Sequence, residues 1–249
     1  MPGLLLCDEH WSKLRQILLQ FNIYDKHNLR MTVEAMFYRM RTGCPWRDLP
    51  EAFGCWNSIY KRFNAWSASG KWLKIFKALM IEPDLEWAFI DGSYIKAHQH
   101  SAGAASDEDN GIGKSRAGNT SKIHLVVDAY GLPIDYQITG GQVHDCSVAP
   151  ELILSMPEVE VFIADKGYDS DALRNLIEAQ EAESVIPRRR NSIKGNDELD
   201  RGLYRYRHLV ENAFARLKHY RIVASRYDKL KRNYEAVVAM ACSLIWLPM

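Results

Sequence analysis

Three carboxylates carry the chemistry this chain could do. Asp91 closes the apolar run Trp87–Ile90 and is followed by Gly92. Asp165 closes Val161–Ala164, with Gly167 two residues on. Glu211 lies in a stretch of uninterrupted helical pattern that runs from Arg207 to Lys218. Two strand-end aspartates and one helix glutamate, far apart in sequence, are the set a two-metal phosphoryl-transfer site requires. Hard Mg²⁺ or Mn²⁺ ions take oxygen ligands. A pair of them can stabilise both the attacking and the leaving oxygen of an in-line displacement.

The glutamate has company. Tyr204, Arg207, Glu211 and Lys218 are spaced by three, four and seven, so they share one narrow stripe of a helix. Leu203, Val210, Ala213, Phe214 and Leu217 form an apolar stripe beside it. Glu211 therefore sits where a buried face meets a polar one, within reach of a strand end. Arg207 and Lys218 are placed to bind a phosphate next to the metals. Taken alone, an Arg–Glu pair at i, i+4 reads as a surface salt bridge.

The elements that must position these groups follow from periodicity. Residues 8–80 read as helical: Leu14, Ile17, Leu18 and Phe21 recur at helical spacing, then Val33, Met36, Phe37 and Met40. Gly43 and Pro45 end the second helix, Pro45–Pro50 is a rigid turn, and Trp56, Ile59, Tyr60, Phe63 and Trp66 begin another. Two helices about a short turn, with Lys61 and Arg62 on the second, suggest a helix-turn-helix; a plain helical bundle has the same pattern. From Trp87 the texture becomes that of an α/β protein. Strands are expected over Trp87–Ile95, Lys122–Asp128, Ile134–Thr139, Val159–Ala164 and Ser184–Pro187. Helices are expected over about 147–155, 171–182 and 203–219, and residues 101–121 read as a long loop. The division expected is a helical DNA-binding domain at 1–80 and a catalytic domain at 81–249. Three strands that can form a meander, then alternating strands and helices, resemble the RNase-H-like fold, a mixed sheet flanked by helices. Asp91 would lie on the central strand and Asp165 at the end of its neighbour.

Composition is that of an ordinary soluble chain of 249 residues. The five cysteines are scattered without a Cys-x-x-Cys pair, which argues against a zinc site or a disulfide framework and fits a reducing cytoplasm. Leu4–Leu6 is too short for a signal segment. Ala236–Met249 is apolar but shorter than the ~20 residues of a membrane span, so a buried helix is expected there. The net charge of +1 hides a pattern: 12 Lys/Arg against 6 Asp/Glu in 1–80, 6 against 19 in 81–185, and 14 against 5 in 186–232. An acidic centre between basic flanks suits a metal-binding core with phosphate-binding arms.

Several blocks resemble one family over nearly the whole chain: DDE transposases of the insertion-sequence-five family, related to the PIF/Harbinger group. Trp46-Arg47-Asp48-Leu49-Pro50, then Phe53-Gly54 and Trp56, resembles its N-terminal domain. Ile90-Asp91-Gly92-Ser93 and Ala164-Asp165-Lys166-Gly167-Tyr168-Asp169 resemble its first two catalytic blocks. Gly113–Arg116 and Lys122–Ala129, with Gly131 and Pro133, resemble the segment between them. Tyr204, Arg207, Glu211 and Lys218 reproduce the third block. The resemblance implies an RNase-H-like core, divalent metal held by Asp91, Asp165 and Glu211, and double-stranded DNA as partner, both terminal inverted repeats and target. It also implies a homodimer or higher assembly on DNA in the bacterial cytoplasm, at the nucleoid, and no membrane. Expected DNA contacts are Arg47, Lys61 and Arg62 in the helical domain, with Lys166, Arg188, Arg189, Tyr204, Arg207 and Lys218 near the site. An RNase-H-like nuclease without strand transfer, or a non-catalytic DNA-binding derivative, would look similar.

Other residues invite chemistry and have plainer readings. His98 and His100 would share a face if they lay on a strand, but further ligands for zinc are not evident. Asp128 at a turn start is expected to bind backbone N–H groups. Asp145 reads as an N-cap, and Asp169 as a cap or turn. Gly111–Ser115 lacks the spacing of a nucleotide-binding loop. Lys166 reads equally as a surface lysine, and Arg188–Arg190 as a solvated loop.

Overall fold

A computed structural model of the chain describes residues 3–101, 110–190, 192–193 and 195–249. The chain divides into two compact units: Met1–Ile81 with Lys96–Asn110 and Leu217–Met249, and Glu82–Ile95 with Gly111–Arg216.

The first unit begins with helices α1 (Asp8–Gln20), α2 (Leu29–Thr42), α3 (Trp56–Ala68) and α4 (Lys71–Leu79). Gly43 stops α2 in the left-handed conformation, φ 77°, its N–H bonding to the Arg39 carbonyl. The joint from α2 to α3 is not the short turn expected of a helix-turn-helix. It runs through two 3₁₀ turns, Trp46–Asp48 and Glu51–Phe53, each opened by a proline. Trp46 pins this joint, with ring centroids 5.6 Å from Tyr60 and 5.0 Å from Phe63. The tight reversal lies instead at Ser69–Gly70, between α3 and α4, where Gly70 has φ 64°.

The second unit is built on a sheet. Its strands are β1 (Trp87–Ala97), β2 (Gly113–Ser115), β3 (Gly118–Val127) and β4 (Pro133–Gly140). Helix α5 (Asp145–Leu154), β5 (Val161–Ala164), α6 (Asp171–Glu178) and β6 (Glu183–Val185) follow. The order across the sheet is β2-β3-β1-β5-β6, with β4 also on β3. β3 and β4 are antiparallel, while β1, β5 and β6 run parallel. Apart from the three-residue β2, three strands come first, then helices and strands alternate, and β1 lies beside β5: this is the RNase-H-like arrangement.

Two expectations are corrected here. The segment read as loop over 101–121 carries the β2–β3 hairpin, Ser115 facing Gly118; its residues 102–109 lie outside the described residues. No apolar alternation marks that hairpin, and Gly118 at φ 90° makes the turn. The helix expected over 203–219 is broken into α7 (Arg201–Tyr204), a 3₁₀ turn at Arg205–Arg207, and α8 (His208–Lys218). Spacings of three and four read alike in both helix types.

The chain then returns to the first unit through α9 (Arg221–Ala224), β7 (Ser225–Arg226) and α10 (Lys231–Trp246). β7 pairs in parallel with Lys96 and Ala97. Helix α10 buries residues on every side, from Tyr234 to Trp246, and packs on α4 and α3. Helix α4 offers it Trp72, Ile75, Phe76 and Leu79, all buried. Packing thus takes Leu217–Met249 into the helical unit, although sequence order places them with the sheet. No described helix is long and apolar enough to cross a membrane.

Candidate active site

Asp91 and Asp165 arise from one feature of the sheet. On adjacent parallel strands Ile90 faces Ala164, so the next residue on each is an aspartate. β5 ends there while β1 runs on to Ala97. Asp165 turns its chain into a 3₁₀ turn and accepts the Gly167 N–H at 2.7 Å. Asp91 accepts the Gly92 N–H at 2.8 Å, and its side chain is 21% exposed. Burial pushes the Asp91 carboxyl above its ordinary range; Gly92 and Arg207 oppose the shift, and the charges of Asp165 and Asp145 add to it.

Glu211 reaches this pair through Arg207. The guanidinium donates to Asp91 Oδ2 at 3.0 Å and, through its other terminal nitrogen, to Glu211 Oε1. Burial works against the charge on Arg207, but Asp91, Glu211, Tyr204 and Asp165 raise its pKa on balance. The i, i+4 pair is therefore one arm of a bridge across residues 116 apart in sequence.

Sequence reasoning missed Asp145 as a neighbour of this site. The N-cap of α5 is His144, without a side-chain bond, so Asp145 is not the cap expected. Its carboxylate accepts from Lys122 Nζ at 3.2 Å and lies 3.4 Å from His124 Nδ1. Burial raises its pKa, yet His124 and Lys122 outweigh that and hold it low. It also presses on β1: a Cβ at Gly92 would stand 2.4 Å from Asp145 Oδ1. The glycine after Asp91 is what could have pointed here. Tyr168, 1% exposed, leaves its hydroxyl without a partner among the described residues. Burial, then the charges of Asp145, Asp91 and Asp165, push its pKa well up.

The remaining candidates fall into two groups. Lys166 is exposed beside Asp165, Tyr204 is half-buried near Arg207, and Lys218 is half-buried further along α8. Arg47 and Lys61 are exposed, Arg47 lying over the Trp56 ring at 5.5 Å. Arg62, Arg188 and Arg189 have named partners within the protein. Arg62 donates to Thr32 Oγ1 at 2.9 Å and Asn28 Oδ1 at 3.3 Å. Arg188 pairs with Asp171 at 2.6 Å and with Asp169 at 3.5 Å. Arg189 braces the turn after Asp165, donating to the Lys166 and Gly167 carbonyls at 3.3 and 3.2 Å. Asp169 caps the 3₁₀ turn at Lys166–Tyr168, as expected, and is also the hub of that region: it accepts the Arg189 N–H at 2.8 Å and pairs with Arg174 at 3.0 Å. Asp128 accepts the Tyr130 and Leu132 N–H groups at 3.0 and 2.8 Å, as a turn-starting aspartate should. His98 stacks on Tyr227 at 4.6 Å.

Set beside known proteins, residues 83–246 match the model described as "Transposase DDE domain", and residues 6–76 that of "Putative transposase of IS4/5 family". A putative transposase for insertion sequence element IS6501 of Brucella ovis is 37% identical over 131 residues, 51% of this chain and 98% of that protein. A putative transposase for insertion sequence element IS402 of Burkholderia cepacia is 33% identical over 141 residues, 52% of this chain and 64% of that protein. Among solved structures, a pre-cleavage Mos1 transpososome aligns over 89% of this chain and 78% of that one, at 9% identity and a TM-score of 0.30, too remote to carry an inference. The chain belongs to the DDE-domain transposases, of the insertion-sequence kind.

Divalent metal use goes with that domain. Among the described residues no three His, Cys, Asp or Glu side chains are grouped to hold an ion as they stand. The donor chemistry fits one nevertheless. The candidates are all hard oxygens, Asp91 lies in the field of Asp165 and Asp145, and a guanidinium already joins two of the three carboxylates as a cation would.

Proposed function

We propose that Asp91, Asp165 and Glu211 hold a pair of Mg²⁺ or Mn²⁺ ions with which this transposase cuts the ends of its insertion sequence and joins them to target DNA. The observation that supports this most is the pairing of Ile90 with Ala164, which sets the two aspartates side by side, with Arg207 tying Glu211 to the first. Bound there, the ions would supply activation of water and neutralisation of charge on the oxygens of the reacting phosphodiester. The residues would do the positioning. Asp91 and Asp165 are fixed by the sheet and by the Gly92 and Gly167 amides. Glu211 and Arg207 come in on the helix, and Arg207, once released from Asp91, would turn to a DNA phosphate. Lys166 and Lys218 would add phosphate affinity that falls with salt. No protein nucleophile is needed; catalysis comes from alignment and electrostatics.

In this reading residues 1–80 recognise the terminal inverted repeats, through Lys61 and Arg47, and two or more copies assemble on the DNA. The enzyme would work at the nucleoid of a bacterial cytoplasm. The test is single-turnover cleavage of end DNA in Mg²⁺, followed by a strand-transfer assay. Asp91→Ala, Asp165→Ala and Glu211→Ala should each lose about as much activity as the triple variant, because ligands of one site act as a unit. Near-normal cleavage by any of them removes that residue from the site. Cleavage by the wild type without joined product makes the protein a nuclease.

A further inference from the structure

Asp91 and Asp165 lie on different strands, and one short segment touches both. It is the first turn of α5. Asp145 there abuts the backbone at Gly92, immediately after Asp91: any Cβ at Gly92 would lie 2.4 Å from Asp145 Oδ1. The next residue, Cys146, donates its thiol to the Gly167 carbonyl at 3.0 Å, and the Gly167 N–H is the one that holds Asp165. The segment is anchored from a third side. Lys122 on β3, 2% exposed, donates to the Val143 carbonyl at 2.9 Å and to Asp145 at 3.2 Å, with the Tyr94 ring 4.5 Å from its ammonium. Burying an ammonium this deeply is costly unless it is engaged, and here it is held by the loop into α5, by Asp145 and by the Tyr94 ring of β1.

We propose that the start of α5 is a spacer: Asp145, locked by Lys122, and Cys146 are positioning residues that fix the distance between the Asp91 and Asp165 carboxylates and so the affinity for metal. Neither residue ligates. Each acts through the backbone next to a ligand, as outer partners of metal sites do. The proposal rests on the metal site described above.

The experiment is a Mn²⁺ titration of the full-length protein, followed by electron paramagnetic resonance of the free ion, with melting temperature measured in parallel. Asp145→Asn should weaken binding about 10-fold or more. Asp145→Asn also removes a negative charge, so Lys122→Met separates the explanations. Loss of a cation beside the site should tighten Mn²⁺ binding if Asp145 acts only by its charge, and weaken it if the lock matters. Should Lys122→Met not fold, Cys146→Ala makes the same test without a charge change: a spacer predicts weaker binding and charge alone predicts none. Unchanged affinity in Cys146→Ala and Asp145→Asn, or only a lowered melting temperature, overturns the proposal. Asp91→Ala is the control. If it binds Mn²⁺ as the wild type does, the metal site itself is misplaced, a failure distinct from that of the spacer.

Discussion

Arg207 holds two carboxylates that the proposed chemistry needs for metal. Its guanidinium spans them through separate nitrogens, a geometry no ammonium reproduces. In the metal-free protein it is a counter-ion, and its loss leaves a half-buried Asp91 and an exposed Glu211 without it. Exposed pairs contribute ~0–1 kcal/mol and breaking a buried one costs ~3–5 kcal/mol. For Arg207→Ala we expect about 1–2 kcal/mol between those limits. The loss should show in thermal melts in EDTA and shrink in Mn²⁺. A deficit of equal size in both buffers would mean that the bridge persists when metal is bound. Arg207→Lys should recover part of the stability and little of the cleavage, because one prong and the bidentate phosphate contact are both gone.

Asp169 offers a pH test. Although burial opposes it, the Arg189 amide, Arg174 and Arg188 hold its carboxyl below the usual range. A carboxylate whose folded pKa is depressed adds stability above the unfolded pKa, ~3.9 for Asp. That stability fades as pH falls through the folded pKa. Asp169→Asn should thus lower stability at neutral pH by about 1–3 kcal/mol, the range for hydrogen bonds to charged groups. The gap to wild type should begin to narrow below about pH 4 and close only once the pH is below the depressed folded pKa. Denaturant unfolding at pH 7 and pH 3.5 measures it; a gap that stays constant would mean that Asp169 is held by shape rather than charge.

At the scale of elements, the sheet and α5 meet at Gly92. Its contact is not the far end of a flexible chain but a carboxylate pinned by Lys122 and placed near His124. Gly92→Ala must push α5 or β1 aside. Overpacking of this kind costs about 1–3 kcal/mol, and here the displaced elements carry the site. We expect weaker Mn²⁺ binding and slower cleavage than the melting temperature alone would explain. An alanine variant with wild-type affinity would show that the two elements slide without effect on the carboxylates. Gly54, by contrast, has nothing within 4 Å of its would-be Cβ; its φ of 99° is the only steric demand there.

At the scale of the whole molecule, the helical unit is discontinuous. α10 supplies buried Tyr234, Val237, Val238, Met240, Ile245 and Trp246 to it. Each large apolar side chain is worth ~1.5–3 kcal/mol when buried, so their sum rivals the ~5–15 kcal/mol stability of a whole domain. A fragment ending near residue 81 should therefore show no cooperative thermal transition by circular dichroism. End-binding assays belong with the full chain. A sharp melt from the fragment would make α10 dispensable and return the N-terminal region to an independent domain.

The sequence by itself determined the family and the local settings of the candidate residues. Three acids in strand-end and helix settings, the Tyr204–Arg207–Glu211–Lys218 stripe and the change of period near residue 86 are local properties, so propensity and spacing suffice to read them. The β1–β5 pairing was legible through the family resemblance, and the register puts Asp91 beside Asp165 as expected. What only the tertiary structure decided is who stands next to whom across long separations. Arg62, Arg188 and Arg189 read as free cations because charge shows in a sequence and its partners do not; Thr32, Asp171 and the Gly167 carbonyl take them up. Asp145 looked like a cap because helix starts attract aspartate, and only Lys122, 23 residues earlier, reveals another use. The C-terminal helix joins the N-terminal ones because α4 and α3 cover its apolar surface. Contacts of that range depend on how the sheet and helices fold back on each other, which no window of neighbouring residues contains.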